Sequence, residues 1–142
     1  MTPDIYIVPE VYKNFAEWLD SLLDNNEMPE DAIAFNFNLY DEAMEGLVYG
    51  IQLAACDRFD PEDETGDWAC FMVWDSDEDI FRIDFTEDEE KGFEFVQGVF
   101  AAFVKKYLNE GKHSDILLAS RGVGIGHVDG DIEIIYVNDK EL

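Results

Sequence analysis

Three carboxylates alternate along a short acidic segment with the spacing of the first ligands of a calcium loop. Asp75, Asp77 and Asp79 match positions 1, 3 and 5 of the twelve-residue loop of a helix–loop–helix calcium site. Position 6 should be glycine and is Ile80, while position 12 should be glutamate and is Thr86. Because that glycine turns the loop and that glutamate completes the coordination sphere, we expect no metal site here. The sequence also predicts no cofactor.

The histidines and a glycine-rich segment are the next candidates for chemistry. His113 and His127 have no serine, cysteine or second histidine at a spacing typical of a catalytic or metal site. Glycines alternate over residues 122–126, but the helix that must follow a dinucleotide-binding fingerprint is replaced by strand-like sequence. We expect these glycines to let another segment approach one face of a strand closely. No catalytic residue is predicted; His127 as a general base beside Asp129 and Asp131 is the alternative.

The two cysteines, Cys56 and Cys70, lie in apolar, strand-like sequence without the spacing of a redox or zinc motif. We expect two reduced and largely buried thiols. A disulfide between neighbouring strands is the alternative.

Composition narrows the class of protein. Among the 142 residues, 34 are acidic and 9 basic, which gives a net charge of −25. A nucleic-acid binder or a protein of anionic membrane surfaces needs a basic surface, so neither partner is expected. Hydrophobic residues at 47% and aromatics at 14% exclude a disordered acidic tail. We expect a non-enzymatic, single acidic domain over residues 1–142, in the cytoplasm, since no leader or membrane span is recognised.

Two segments have apolar residues at helical spacing. The first runs from about residue 9 to residue 24. The second begins at Thr86, which stands three residues before Glu89 as in a capping box, and ends at Gly111. The apolar stripe of this second helix consists of Phe93, Val96, Phe100, Phe103, Val104 and Tyr107.

Strands are predicted where apolar residues alternate or run together. In residues 32–40, Asn36 and Asn38 alternate with apolar residues, which predicts a half-buried strand. Further strands are predicted at 46–56, 68–74 and 80–85. The fold class is therefore α+β: an antiparallel sheet of about five or six strands packed against two principal helices.

The chain is predicted to close with a C-terminal β-hairpin whose turn is Asp129-Gly130. In that register, the opposed pairs are Val123–Tyr136, Ile125–Ile134 and His127–Ile132. These six residues would share one face, and the glycines would share the other face with Glu133 and Ile135.

About half of the net charge is concentrated in residues 57–90. Two acidic loops flank the predicted strand 68–74, so we expect a broad negative surface for a basic protein partner. The candidate partner-binding residues are Asp57, Asp60, Glu62, Asp63, Glu64, Asp67, Asp75, Asp77, Glu78 and Asp79, with Trp68 and Trp74 as apolar anchors if they are exposed. The alternatives are solvated loops or an acidic surface adapted to a high-salt cytoplasm.

The acidic stretch 57–90 and the closing segment 124–136 (Gly-Ile-Gly-His-Val-Asp-Gly-Asp-Ile-Glu-Ile-Ile-Tyr) carry a resemblance of type over the whole chain. The chain resembles immunity proteins of bacterial toxin–immunity systems. This resemblance implies a stoichiometric inhibitor that docks on a basic toxin, such as a nuclease, and needs no catalytic group. The alternatives are a regulatory module that binds a small ligand or a peptide, and an unrecognised hydrolase.

Overall fold

The structure is a computed structural model and describes residues 9–41, 48–63, 66–77, 79–84, 92–127 and 132–138. Its elements in chain order are α1 (Pro9–Asn25), β1 (Ala34–Asp41), β2 (Val48–Cys56), a 3₁₀ helix (Asp67–Cys70), β3 (Met72–Asp75), β4 (Phe81–Asp84), α2 (Gly92–Glu110), α3 (Ser114–Leu118), β5 (Gly122–His127) and β6 (Glu133–Val137). The predicted α+β class is confirmed. Among the helices described, none has the length and apolar character needed to cross a membrane.

The six described strands form one mixed sheet in the order β3-β2-β1-β5-β6, with β4 also paired to β2. All pairings are antiparallel except that of β1 with β5, which is parallel. The prediction of a wholly antiparallel sheet is therefore wrong in this one pairing. The physical reason is the path between β4 and β5: α2 and α3 carry the chain far enough for β5 to enter beside β1 in the same direction.

Helices α1 and α2 bury their apolar stripes in one core with the central strands. Phe15 of α1 is fully buried, and its ring centroid lies 6.4 Å from that of Phe37 and 5.6 Å from that of Phe103. The predicted first helix is confirmed. The second is confirmed from Gly92 to its end before Gly111, while its predicted start at Thr86 lies outside the described residues.

The prediction of a half-buried β1 is wrong, because Asn36 is 0% and Asn38 7% exposed. The sheet face opposite the helices is covered by the segment that follows β2. Trp68 and Ala69 of the 3₁₀ helix form a small apolar cluster there with Ala34 and Cys56, and Phe59, Ile132 and Ile134 pack around it. Both faces of the central strands are therefore buried.

The predicted strand 68–74 is wrong in its first half. Gly66 has a φ of 70°, in the left-handed region, and the chain then winds into the 3₁₀ helix. The Ala69 and Phe71 amides donate to the carbonyls of Gly66 and Trp68 at 3.0 and 3.2 Å. This winding turns Trp68 onto the sheet, so the strand begins only at Met72.

The predicted hairpin register holds for its first pair only. Val123 pairs with Tyr136 as expected, but a bulge shifts the next pairs to Gly124–Ile134 and Ile125–Glu133. As a result, Ile134 lies with the glycines against the Trp68 cluster, and Ile135 packs against the main core. The sequence predicts the reverse, with Ile135 on the face of the glycines and Ile134 on the other face, so the prediction is wrong for both residues. The Asp129-Gly130 turn and the His127 side chain lie outside the described residues.

The cysteines differ from each other in exposure. Cys56 is buried and Cys70 exposed, and both are free, so the expectation of two buried thiols is wrong for Cys70. The Cys56 sulfur lies 3.7 Å from the carbonyl oxygen of Ala69. Burial, assisted by nearby Asp57, raises the pKa of Cys56 to about 12.

We expect Gly124→Ala to destabilise the fold by about 1–3 kcal/mol, because an added Cβ overpacks a closed space. That atom would lie 2.9 Å from Asn36 Oδ1 and 3.0 Å from Trp68 Cζ2. The control is Gly98→Ala in α2, where a Cβ meets nothing within 4 Å. There alanine should stabilise the helix by about 0.5–1 kcal/mol. Urea unfolding of both variants checks the prediction; equal changes in unfolding free energy would contradict the packing described at Gly124.

Thiol labelling should separate the two cysteines. Only the thiolate reacts with an aromatic disulfide reagent, so the raised pKa and burial of Cys56 should leave it unlabelled in the native protein at pH 8. Exposed Cys70 should react at once, and Cys56 only on unfolding. A Cys70→Ser variant should show no rapid phase. Rapid labelling of two thiols per native chain would show that Cys56 is not enclosed.

Candidate functional site

The candidate acidic residues come before and after β3 in the chain, and only some of them lie beside this strand. Strand β3 stands at the edge of the described sheet, and its four residues span roughly 13 Å. We call the surface around it the acidic edge surface; its described members are Asp57, Phe71, Met72, Asp75, Asp77 and Asp79. The predicted residues Asp60, Glu62, Asp63 and Asp67 belong instead to a segment that crosses the sheet, where the Phe59 ring packs against Gly122 of β5 and Gly66 packs against Ile132. Glu64 and Glu78, also predicted members, lie outside the described residues.

The apolar anchors of this surface are not the predicted tryptophans. Trp68 is 2% exposed, and Trp74 packs partly buried against the main core. Trp68 covers one face of the sheet and is thereby removed from the surface, whereas Trp74 packs against the core on the other face and keeps part of its surface accessible. The exposed apolar residues are instead Phe71 and Met72, with 43% and 44% of their surface accessible. Nothing in the sequence distinguishes Phe71 from its buried neighbours, because the change from 3₁₀ helix to strand decides where it points.

Ser76 fixes the acidic group that follows β3. Its amide donates to the Leu53 carbonyl at 2.9 Å, and its Oγ accepts from the Leu53 amide at 3.2 Å. The same Oγ donates to the Asp79 carbonyl at 2.9 Å. Ser76 is thereby bonded to both the carbonyl and the amide of Leu53 in β2.

The carboxylates of this segment are ordered by individual hydrogen bonds. Asp77 has a φ of 53°, and its amide donates to Asp75 Oδ1 at 2.8 Å. Asp79 Oδ1 accepts from the indole nitrogen of Trp18 in α1 at 3.1 Å. Asp75 and Asp79 therefore each have one carboxylate oxygen with a defined hydrogen-bond donor, which restricts the rotation of these two side chains.

A buried row of amides supports the same segment from below. Asn36 Nδ2 donates to Asn38 Oδ1 at 2.6 Å, and Asn38 Nδ2 donates to Gln52 Oε1 at 3.1 Å. Gln52 Oε1 also accepts from the Tyr40 hydroxyl at 2.9 Å, and Gln52 Nε2 donates to the Asp77 carbonyl at 3.1 Å. We call these four side chains the amide network. Burial raises the pKa of Tyr40, and the charge of Asp75 acts in the same direction, so the hydroxyl remains a donor.

Sequence reasoning missed the amide network. An asparagine that alternates with apolar residues indicates solvent on that face, yet the same alternation arises when the polar face is covered and its amides bond to one another. The signal that could have suggested burial is a third amide, Gln52, inside an otherwise apolar strand.

The acidic group before β3 is organised by turns. Asp60 Oδ1 accepts from the Glu62 amide at 3.1 Å, and the Asp63 amide donates to the Asp60 carbonyl at 3.2 Å. Asp57 begins the segment, and its amide donates to the Phe71 carbonyl at 3.1 Å. The side chain of Arg58 returns over this point: its Nε donates to Asp57 Oδ1 at 3.0 Å.

The other candidate groups give no catalytic arrangement in the part of the chain that the structure describes. No three His, Cys, Asp or Glu residues converge there as a metal site would require. His113 lies 2.7 Å from Asp24 and joins the end of α1 to the start of α3; its hydrogen bond lowers the pKa of that aspartate. A concavity of about 520 Å³ lies open at the same end of α1, lined by Leu23, Asp24, Asn25, Asn26, Glu27, Met28 and Ile116.

Comparison with known proteins gives one distant similarity. No family model matches the chain, and no solved structure matches it significantly. The chain is similar to the E3 ubiquitin-protein ligase MGRN1 of Mus musculus, with 25% identity over 146 aligned residues. The alignment covers 90% of this chain and 27% of the ligase, so the chain spans about a quarter of that protein's length.

Proposed function

We propose that this protein is a non-catalytic binding protein that docks on a basic partner protein through the acidic edge surface. One observation carries the proposal: exposed Phe71 and Met72 lie at the start of an edge strand, with Asp57 beside Phe71 and the hydrogen-bonded carboxylates of Asp75 and Asp79 at and after the end of the strand. An apolar centre within a charged rim is the usual anatomy of a specific interface. The centre supplies contact area, and the rim selects a partner of opposite charge.

Electrostatics favour a basic partner over a neutral one. With a net charge of −25, the protein attracts a basic surface before contact and repels other acidic proteins. Such steering raises association rates well above the unsteered ~10⁵–10⁶ M⁻¹s⁻¹ and makes them sensitive to salt. A toxin nuclease is basic because it must bind phosphates, so an immunity-type inhibitor of such a toxin is the specific form of our proposal.

The order of the acidic groups supports binding rather than simple solvation. Ser76 and the amide network hold the carbonyl groups of Asp79 and Asp77 in place. Binding therefore does not have to order this segment, and that lowers the entropic cost of association.

A small-ligand or peptide-binding module is the second candidate function. It would use the open concavity at the end of α1, where Leu23, Met28 and Ile116 provide apolar lining. This site lies at the helix end, whereas the acidic edge surface lies on β3, so the two proposals predict different binding positions. The activity of the mouse ligase is not carried over, because the chain spans only 27% of it. The cytoplasmic location stays a prediction.

Binding of an arginine nonapeptide, followed by ¹H–¹⁵N NMR at about 0.15 M salt, should locate the docking surface. We expect the largest shift changes at amides of the acidic edge surface, around Phe71, Met72 and Asp77. Those of Leu23 and Met28 should change little. A glutamate nonapeptide should give no changes at all. Equal shift changes at the amides of all acidic residues would show that the peptide binds to the charge without a preferred site, and would contradict the proposal. Shift changes confined to the concavity would contradict it as well.

A further inference from the structure

Arg58 makes two contacts that together describe a binding site for a guanidinium group. Its Cζ lies 3.8 Å from the centroid of the Phe71 ring, within the range of a cation–π interaction. Its Nε donates to Asp57 Oδ1 at 3.0 Å. The ring supplies a face for stacking, and the carboxylate supplies a charged acceptor at its side.

The ring and the carboxylate are held together by the backbone and not by Arg58. The Asp57 amide donates to the Phe71 carbonyl at 3.1 Å, so the two residues keep their relative position when the arginine leaves. The Arg58 side chain is 55% exposed and Phe71 43% exposed. Exposed pairs of this kind are weak, because water screens the charges and the long side chain loses freedom. The intramolecular contact can therefore be exchanged for one with another molecule.

We propose that Phe71 and Asp57 form a subsite for an arginine side chain of the basic partner, and that Arg58 fills this subsite in the free protein. The inference rests on the proposed function and names one contact within it. Arginine fits better than lysine, because a flat guanidinium stacks on the ring while its remaining N–H groups reach the carboxylate. Arg58 is one of only two basic residues in residues 57–90, and it covers the apolar anchor until a partner competes for the place.

The test is a double-mutant cycle on Arg58 and Phe71, with the affinity for an arginine nonapeptide measured by calorimetry. Arg58→Gln should tighten binding by about two- to fivefold, because the subsite is vacated. Phe71→Leu keeps an apolar side chain but removes the ring from Arg58 and the peptide alike, so alone it should change the affinity little. In the double variant, the gain from Arg58→Gln should be lost. A lysine nonapeptide should show a smaller gain.

The matched control is Arg121→Gln. Arg121 is exposed, and its amide donates to Ile33, whose own amide donates to Cys56, so it lies at the same end of the sheet as Asp57. The Arg121→Gln substitution removes the same positive charge without changing the subsite, so it should increase the peptide affinity less than Arg58→Gln does. Equal gains at Arg58 and Arg121, or additive effects of Arg58→Gln and Phe71→Leu, would overturn the subsite. The proposed function would still hold if the peptide maps to the acidic edge surface, and it fails separately if the peptide does not.

Discussion

The fold depends on one constraint: β1 and β2 lie in the middle of the sheet, and both of their faces have to be covered. Helices α1 and α2 cover one face with aromatic and aliphatic side chains. The other face is covered by the acidic segment after β2, which contributes Phe59, Trp68 and Ala69. The most charged part of the chain is thus also part of its core. Its carboxylates are carried by a backbone that cannot leave the sheet without exposing that core to water.

Covering a polar face brings a second requirement, because buried amides must be hydrogen-bonded. Asn36, Asn38 and Gln52 meet it in part among themselves, and Gln52 Nε2 donates to the Asp77 carbonyl, while the buried Asn36 Oδ1 has no partner among the described residues. The row therefore connects the interior of the sheet to the acidic residues after β3. The carboxylates after β3 are therefore carried by backbone that is hydrogen-bonded to β2.

The sequence predicted the elements with strong periodicity and failed where two arrangements share one pattern. Helices α1 and α2 were located because their apolar stripes recur over several turns. Residues 68–74 were read as one strand, yet Gly66 adopts a left-handed φ that starts a 3₁₀ helix. One bulge next to Val123 was enough to exchange the faces of Ile134 and Ile135.

The same limit applies to the candidate site. Composition identified the acidic residues, because the concentration of charge is visible without a structure. It did not identify the exposed apolar residues Phe71 and Met72: Trp68 and Trp74 are larger candidates, but Trp68 is buried against the sheet and Trp74 packs partly buried against the main core. Which aromatic residue faces solvent depends on tertiary packing, and the amide network is a long-range arrangement of β1, β2 and Asp77.

The central claim, that the charge acts through its position on the acidic edge surface, is tested most directly by association kinetics. Two triple variants remove the same charge: one changes Asp75, Asp77 and Asp79 of the acidic edge surface, and the other Glu17, Glu27 and Glu30, to their amides. With an arginine nonapeptide in stopped flow at low salt, the first variant should associate about three- to tenfold more slowly than wild type and lose much of the salt dependence. The second should remain close to wild type. Equal slowing of both variants would show that net charge alone is responsible and would contradict the account.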